Sequence, residues 1–175
     1  WSSDVCSSDL NGVSFGRRVT SDGRELFVAQ SARSLGAANP GPRVGPLVLT
    51  EIHFEPTPLP GPTNNAVDEF IELRNIGAAP LPLFDPAHAT NRWHLRGAVE
   101  FDFPANVTLD SGAFALVVGF DPAADAAQLA AFRAQFNPPA GTPILGPWKG
   151  ALNNAGENLR VLDRKSTRLN SSHVA

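Results

Sequence analysis

A histidine between two glutamates is the residue set with the clearest potential for metal chemistry. Glu51, His53 and Glu55 occupy alternate positions, so a β-strand would place all three on one face. Imidazole and carboxylate groups bind zinc, but three ligands along one flat strand do not readily converge on a tetrahedron. A solvated strand face is the alternative interpretation, and the one that we expect.

Three carboxylates stand close together further along, at Asp68, Glu69 and Glu72. Neighbouring like charges raise a carboxyl pKa and so suit acid–base catalysis. However, a strand would place Glu69 and Glu72 on opposite faces, which favours solvated charge at a sheet edge. Hard carboxylate oxygens also suit calcium. Asp68 and Glu69 are therefore the candidate metal ligands, with calcium as the one candidate cofactor.

The remaining candidates are weaker. Asp85, His88 and His94 could bind a metal, but an aspartate directly before a proline is typical of a turn. Trp93 and Trp148 could form an aromatic platform for sugars, whereas a core tryptophan bonds its indole N–H to backbone. We expect Trp93 to be core. Trp148 is flanked by Gly146-Pro147 and by Lys149-Gly150, so its side chain could be either exposed or buried. We take it as the candidate ligand-contact residue.

No catalytic or cofactor-binding residue is predicted. The sequence contains no G-x-S-x-G, Walker, G-x-G-x-x-G or H-E-x-x-H motif, and each of these motifs marks a common catalytic or nucleotide site. We therefore predict a chain that is not an enzyme.

Both ends differ from the sequence between them. Residues 1–10 and 164–175 are serine-rich and have neither helical nor strand periodicity. They resemble translated sequencing-adapter read-through and are set aside from fold reasoning. With no methionine in the chain, we expect a fragment of a longer protein whose two ends are loosely placed.

Charge and cysteine content limit the partners. The two ends hold three of the 14 basic and two of the 17 acidic side chains, so the body carries 11 and 15, a net charge of −4. The lone cysteine, Cys6, lies in the first end, and Lys149 is the only lysine of the body. Proteins that bind nucleic acid or anionic membranes carry clustered Lys and Arg. We therefore predict neither partner. The sequence also contains no run of about 20 apolar residues, which a transmembrane helix would require.

Sixteen prolines and fifteen glycines predict many turns and an all-β plan. Residues 11–38 contain two weak strand patterns, and the proline-rich stretch 39–46 is interpreted as a linker. Beyond it, period-two alternation or a continuous apolar run predicts strands at 47–54, 69–75, 93–95, 99–103, 114–119 and 158–162. The side chains expected in the core are Ile52, Phe54, Ile71, Leu73, Phe101, Phe103, Leu116 and Val118.

One helix is predicted within Pro122 to Phe136. Asp121 suits the N-cap and Pro122 the first helical position. Leu129 and Phe132 fall on one apolar stripe with Phe136. Asn137, with two prolines after it, ends the helix.

These segments, in this order, resemble the lamin tail domain, an immunoglobulin-like β-sandwich. The matching segments are Leu49–Ile52, Asp68–Asn75, Pro80–Leu83, Trp93–Leu95, Phe101–Pro104, Thr108–Gly112, Phe114–Val118 and Leu152–Asp163. The resemblance implies an antiparallel sandwich over residues 47–163 with one inserted helix. The family's last strands would follow Asp163, so the resemblance also implies C-terminal truncation and a strand 158–162 without an outer neighbour.

Bacterial members of the family occur in large exported proteins. The resemblance therefore implies an extracellular or cell-surface location, with residues 11–38 ending a preceding module. The expected function is a non-catalytic spacer, adhesion or accessory module, with neighbouring domains, extracellular proteins or polysaccharide as partners. Two alternatives are a carbohydrate- or calcium-binding accessory module of an exported hydrolase and a nuclear lamin-like tail. The acidic body and the absence of rod heptads disfavour the nuclear tail.

Overall fold

The computed structural model describes residues 12–57, 65–152, 158–163 and 169–170. The chain divides into two compact units between Val44 and Gly45. This division lies inside the stretch 39–46 that the sequence indicates as a linker.

The first unit contains a β-hairpin. Strand β1 (Phe15–Val19) pairs antiparallel with β2 (Glu25–Ala29). Gly23, in the turn between them, has φ +82°, a left-handed conformation that glycine adopts without steric cost. After the hairpin the chain returns, and the Arg43 N–H donates to the Ala29 carbonyl at 2.8 Å. Part of the predicted linker is thus bonded to the hairpin.

The second unit consists of short strands, a 3-10 turn at Ala66–Asp68 and a helix. Its strands are β3 (Leu47–His53), β4 (Phe70–Asn75), β5 (Leu81–Pro82), β6 (Phe84–Asp85), β7 (His88–Arg92), β8 (His94–Gly97), β9 (Val99–Asp102), β10 (Thr108–Leu109), β11 (Phe114–Val118), β12 (Ile144–Leu145), β13 (Lys149–Gly150), β14 (Leu159–Leu162) and β15 (Leu169–Asn170). Its helix is α1 (Ala126–Phe136).

Two sheets dominate this unit. One has four strands in the order β12-β11-β4-β3, and the other has five in the order β13-β9-β8-β14-β15. The β11–β12 pair is parallel, whereas the other pairs in these sheets are antiparallel. The pairs β10-β5 and β6-β7 form separate two-stranded sheets.

Both large sheets contribute to one hydrophobic core. Its members include Ile71, Leu73 and Val117 from the four-stranded sheet, and Leu95, Val99, Phe101, Leu159 and Val161 from the five-stranded sheet. A second, smaller cluster joins Phe70, Leu116 and Val118 to Phe132 of α1. Strand β11 is therefore buried on both faces, as its continuous apolar sequence predicts. The prediction of a β-rich fold with one helix is confirmed over the described residues.

The helix begins later than predicted. Asp125, not Asp121, is the N-cap, and its carboxylate accepts the Gln128 N–H at 2.9 Å. Asp121 instead accepts the Ala123 N–H at 2.9 Å and so caps the turn before the helix. The predicted stop is confirmed, because Asn137 adopts the left-handed conformation at the C-cap.

A β-bulge interrupts the regular alternation of side chains in β3. The pairing with β4 shifts between Leu49 and Glu51, and such an extra residue reverses the inside–outside alternation beyond it. Leu49 and Ile52 therefore both pack against the core, with Ile52 only partly buried. The prediction that Phe54 is buried is wrong, since its side chain is 52% exposed beyond the end of the strand.

The prediction that strand 158–162 lacks an outer neighbour is also wrong. Val161 pairs with Asn170, and Leu162 pairs with Leu169. Backbone from the segment 164–175 thus supplies hydrogen-bond partners to the second half of β14, whose other edge pairs with β8. The rest of this segment, and residues 1–10, lie outside the described residues.

Candidate functional site

Asp68 and Glu69 are not the solvated edge charges that the sequence predicted. Both residues are buried, at 6% and 2% exposure. The 3-10 turn directs the Asp68 carboxylate towards two amides, and its Oδ2 accepts from Asn65 Nδ2 at 2.6 Å and from Gln135 Nε2 at 3.1 Å. Asp68 therefore ties the loop before β4 to helix α1.

His53 belongs to the same region but not to a metal site with the two glutamates beside it in sequence. Its ring stacks on Phe70, with centroids 5.1 Å apart, and its Nδ1 lies 3.0 Å from the Asp68 carbonyl oxygen. Glu51 and Glu55 are exposed. The strand ends at His53, so the regular alternation that would align Glu55 with Glu51 and His53 is lost.

Glu69 directly precedes β4 and is buried, whereas Glu72 within β4 is only partly buried. Its carboxylate accepts the backbone N–H of Leu152. Burial raises the pKa of Glu69, while the charge of His53 and the Leu152 hydrogen bond act in the other direction. Glu69 is thus a buried carboxyl whose ionised form is disfavoured by its surroundings.

A cavity of about 180 Å³ brings together the candidate metal ligand Glu69 and the candidate ligand-contact residue Trp148. Trp148 is buried, with 7% exposure, so of the two interpretations left open the buried one holds. Asp68, the other candidate ligand, is not among the residues that line the cavity. The cavity lining consists of Ala66, Val67, Glu69, Gly119, Phe120, Trp148, Gly150 and Ala151.

The second histidine set separates in the structure. Asp85 accepts the Ala87 N–H at 2.9 Å, which confirms the turn interpretation, and His88 Nδ1 lies 3.6 Å from Asp85. His94 instead bonds Asp102 at 2.8 Å across the β8–β9 pair. Over the described ranges, no three His, Cys, Asp or Glu side chains are grouped so as to hold a metal.

Trp93 is in the core, as predicted, with 2% exposure. The expected hydrogen bond from its indole to backbone is not formed within the part of the chain that the structure describes. In that same part, no helix has the length and apolarity to cross a membrane.

Several polar residues of this unit were missed at the sequence level. Asn65 and Gln135 bind Asp68, and Asn75 is fully buried. Of these, only Asn75 could have been predicted from the local sequence, since an asparagine two residues before a glycine, here Gly77, is typical of an Asx-turn. Asn65 and Gln135 approach Asp68 from a loop and a helix, and no local pattern marks that contact.

Comparisons of the chain with protein-family models, with curated proteins and with solved structures find no match.

Proposed function

We propose that residues 47–163 form a lamin-tail-like, immunoglobulin-like module of a larger exported bacterial protein. The module works without catalysis, as a spacer, adhesion or accessory domain at the cell surface or outside the cell. Its partners are neighbouring domains of the same polypeptide and extracellular protein or polysaccharide. Residues 11–38 end a preceding module.

The observation that supports this proposal is that Asp68 and His53, two side chains that could do chemistry, make contacts within the fold instead. Asp68 accepts hydrogen bonds from Asn65 and Gln135, and His53 packs against the rings of Phe70 and Phe136. These contacts join β3, the loop before β4 and helix α1. The Asn65 Oδ1 has no partner among the described residues, but the two hydrogen bonds that Asp68 accepts fix the loop to the helix, which suits a module that transmits force or positions a neighbour.

Mechanical unfolding of the full chain tests the positive part of the proposal. A spacer or adhesion module must stay folded under tension, so we expect one cooperative rupture of the unit that begins at Gly45. Gradual extension without a rupture peak would contradict a load-bearing role.

Turnover assays test the absence of catalysis. Esterase, glycosidase, phosphatase and peptidase substrates should show no hydrolysis above buffer. Activity that copurifies with the chain and disappears in Glu69→Gln or His53→Gln would refute the proposal.

A further inference from the structure

The cavity that contains Glu69 has an exposed rim and a buried interior. Val67, Gly150 and Ala151 on its lining are exposed, whereas Glu69 and Trp148 are buried. Its volume of about 180 Å³ exceeds roughly tenfold the space that one water molecule needs. A small group can therefore enter the cavity from solvent, and Glu69 is one of the residues that it meets there.

Glu69 has no permanently charged partner among the described residues. The opposing charge that acts on it is that of His53, and a histidine is charged only when it is protonated. The hydrogen bond from Leu152 comes from a neutral backbone N–H, and no Lys or Arg within the described residues forms an ion pair with Glu69. The lysine nearest to the cavity, Lys149, is exposed and pairs in register with Glu100. Buried carboxylates in proteins are normally paired with a cation, so this one is matched to a cationic ligand.

Aromatic groups complete the cavity. Phe120 and Trp148 line it together with Glu69. The indole lies directly against Gly119, where a Cβ atom would come within 3.3 Å of indole atoms Cε2 and Nε1. Aromatic faces attract ammonium groups through their quadrupole, and the attraction is strongest where water is excluded.

We propose that this cavity binds an alkylammonium group, either a free amine or the end of a lysine side chain of a partner. The ammonium donates hydrogen bonds to the Glu69 carboxylate, and its alkyl chain packs against Phe120 and Trp148. A neutral hydroxyl could form a hydrogen bond there but would leave the carboxylate charge unpaired. The inference goes beyond the proposed function and does not depend on it.

Titration of the full chain with n-butylammonium, followed by NMR, tests the proposal. We expect saturable shifts of the Trp148 indole N–H and the Leu152 amide, with the indole resonance assigned through Trp148→Phe. n-Butanol, which matches the ligand in shape without its charge, should bind at least about tenfold more weakly. Equal binding of n-butanol and n-butylammonium by the unaltered chain would overturn the proposal.

Two variants locate the site. Glu69→Gln preserves size and the acceptor for Leu152 but removes the charge, so it should weaken n-butylammonium binding at least about tenfold. Glu72→Gln is the matched control, because Glu72 lies three residues further along and does not line the cavity, and it should leave binding within about twofold. Unchanged binding in Glu69→Gln would overturn the proposal. If that variant does not fold, the comparison of n-butylammonium with n-butanol still decides.

Further probes separate the sources and the rival ligands. Binding of Nα-acetyl-lysine-methylamide would indicate a lysine side chain, whereas binding of n-butylammonium alone would indicate a free amine. Saturation by methyl glucoside or by calcium, with no response to n-butylammonium, would replace the proposal with the carbohydrate or calcium alternative.

Discussion

The two units share the same strand patterns but differ in what their apolar side chains contact. In the hairpin of the first unit, Val19, Leu26 and Phe27 are each about half exposed. In the second unit, the corresponding apolar positions of β8 and β9 are buried between two sheets. A two-stranded hairpin has no second layer to cover its apolar face. Alternation therefore predicts strands in both units, but only a facing sheet turns them into a core.

Leucine-to-alanine substitutions should give the largest difference in free energy of unfolding between the two units. Leu95 in β8 is fully buried, whereas Leu26 in β2 is 44% exposed. Leu95→Ala leaves a cavity and should lower the free energy of unfolding by about 2–5 kcal/mol. Leu26→Ala should cost less than about 1 kcal/mol, since it removes a half-solvated side chain. Urea denaturation followed by amide resonances of β8 and β2 measures both, and equal costs would refute the contrast.

Matched asparagines give a smaller difference. The Asn75 Nδ2 donates to the carbonyls of Ala79 and Leu109, both at 2.9 Å, and the Gly77 N–H donates to Asn75 Oδ1 at 2.9 Å. Asn75→Ala leaves these buried groups without hydrogen-bond partners and should lower the free energy of unfolding by about 2–3 kcal/mol. Asn39→Ala, in the first unit, loses two long, exposed hydrogen bonds, one that its Nδ2 donates to the Arg17 carbonyl and one that its Oδ1 accepts from Ser34, and should lower the free energy of unfolding by less than about 0.5 kcal/mol.

The same denaturation experiment checks the asparagine pair. A cost below about 1 kcal/mol for Asn75→Ala would mean that water replaces the lost bonds, and that the turn after β4 is more open than its burial indicates.

Most strands could be predicted because their signals are local. Alternation at 69–75 and the apolar run at 114–119 each required only neighbouring residues, and both strands are confirmed. The bulge after Leu49 could not be predicted, because it depends on the register with β4. The wrong assignment of Phe54 has another cause, because β3 ends at His53 and Phe54 lies beyond the last paired residue.

The site was predictable only as separate residues. Glu69 and Trp148 were both singled out, but nothing local relates them, because they are 79 positions apart in the chain. Their shared cavity is formed by the turn before β4, by the two residues after β11 and by the segment around β13. The burial of Asp68 was missed because its partners Asn65 and Gln135 come from a loop and a distant helix.

Carboxyls of the two units should respond oppositely to pH. Burial raises the pKa of Glu69 above its unfolded value, so its contribution to stability is present at low pH and is lost as pH rises through the folded pKa. Glu69→Gln should therefore raise the Tm at pH 8 and have little effect at pH 4. Melting curves from pH 3 to pH 9 give the comparison.

Asp22 in the first unit is the contrasting carboxyl. Hydrogen bonds from Thr20 and Arg24 lower its pKa to about 2, so its contribution is present above the unfolded pKa and is lost as pH falls towards 2. Asp22→Asn should therefore lower the Tm at every pH above the unfolded pKa and have little effect near pH 2. If Glu69→Gln instead destabilised the chain increasingly at high pH, Glu69 would be ionised and compensated, which would contradict its unpaired burial.

Surface ion pairs give the smallest expected difference. In the second unit, Asp102 bonds both His94 and Arg96 across β8 and β9. Burial opposes ionisation of Asp102, but these hydrogen bonds keep its pKa below the usual value. In the first unit, Arg17 and Glu25 form a single ion pair with both side chains more than half exposed.

A carboxylate that binds two basic side chains on a packed sheet should contribute more to stability than a carboxylate in an isolated exposed pair. Asp102→Asn should cost under about 1 kcal/mol, and Glu25→Gln should leave the Tm unchanged. Raising the salt to 1 M shortens the screening length to about 3 Å, so the Asp102→Asn effect should shrink. Tm measurements at low and high salt check both variants. An equal, salt-insensitive loss in the two would mean that these carboxylates act through packing and not through charge.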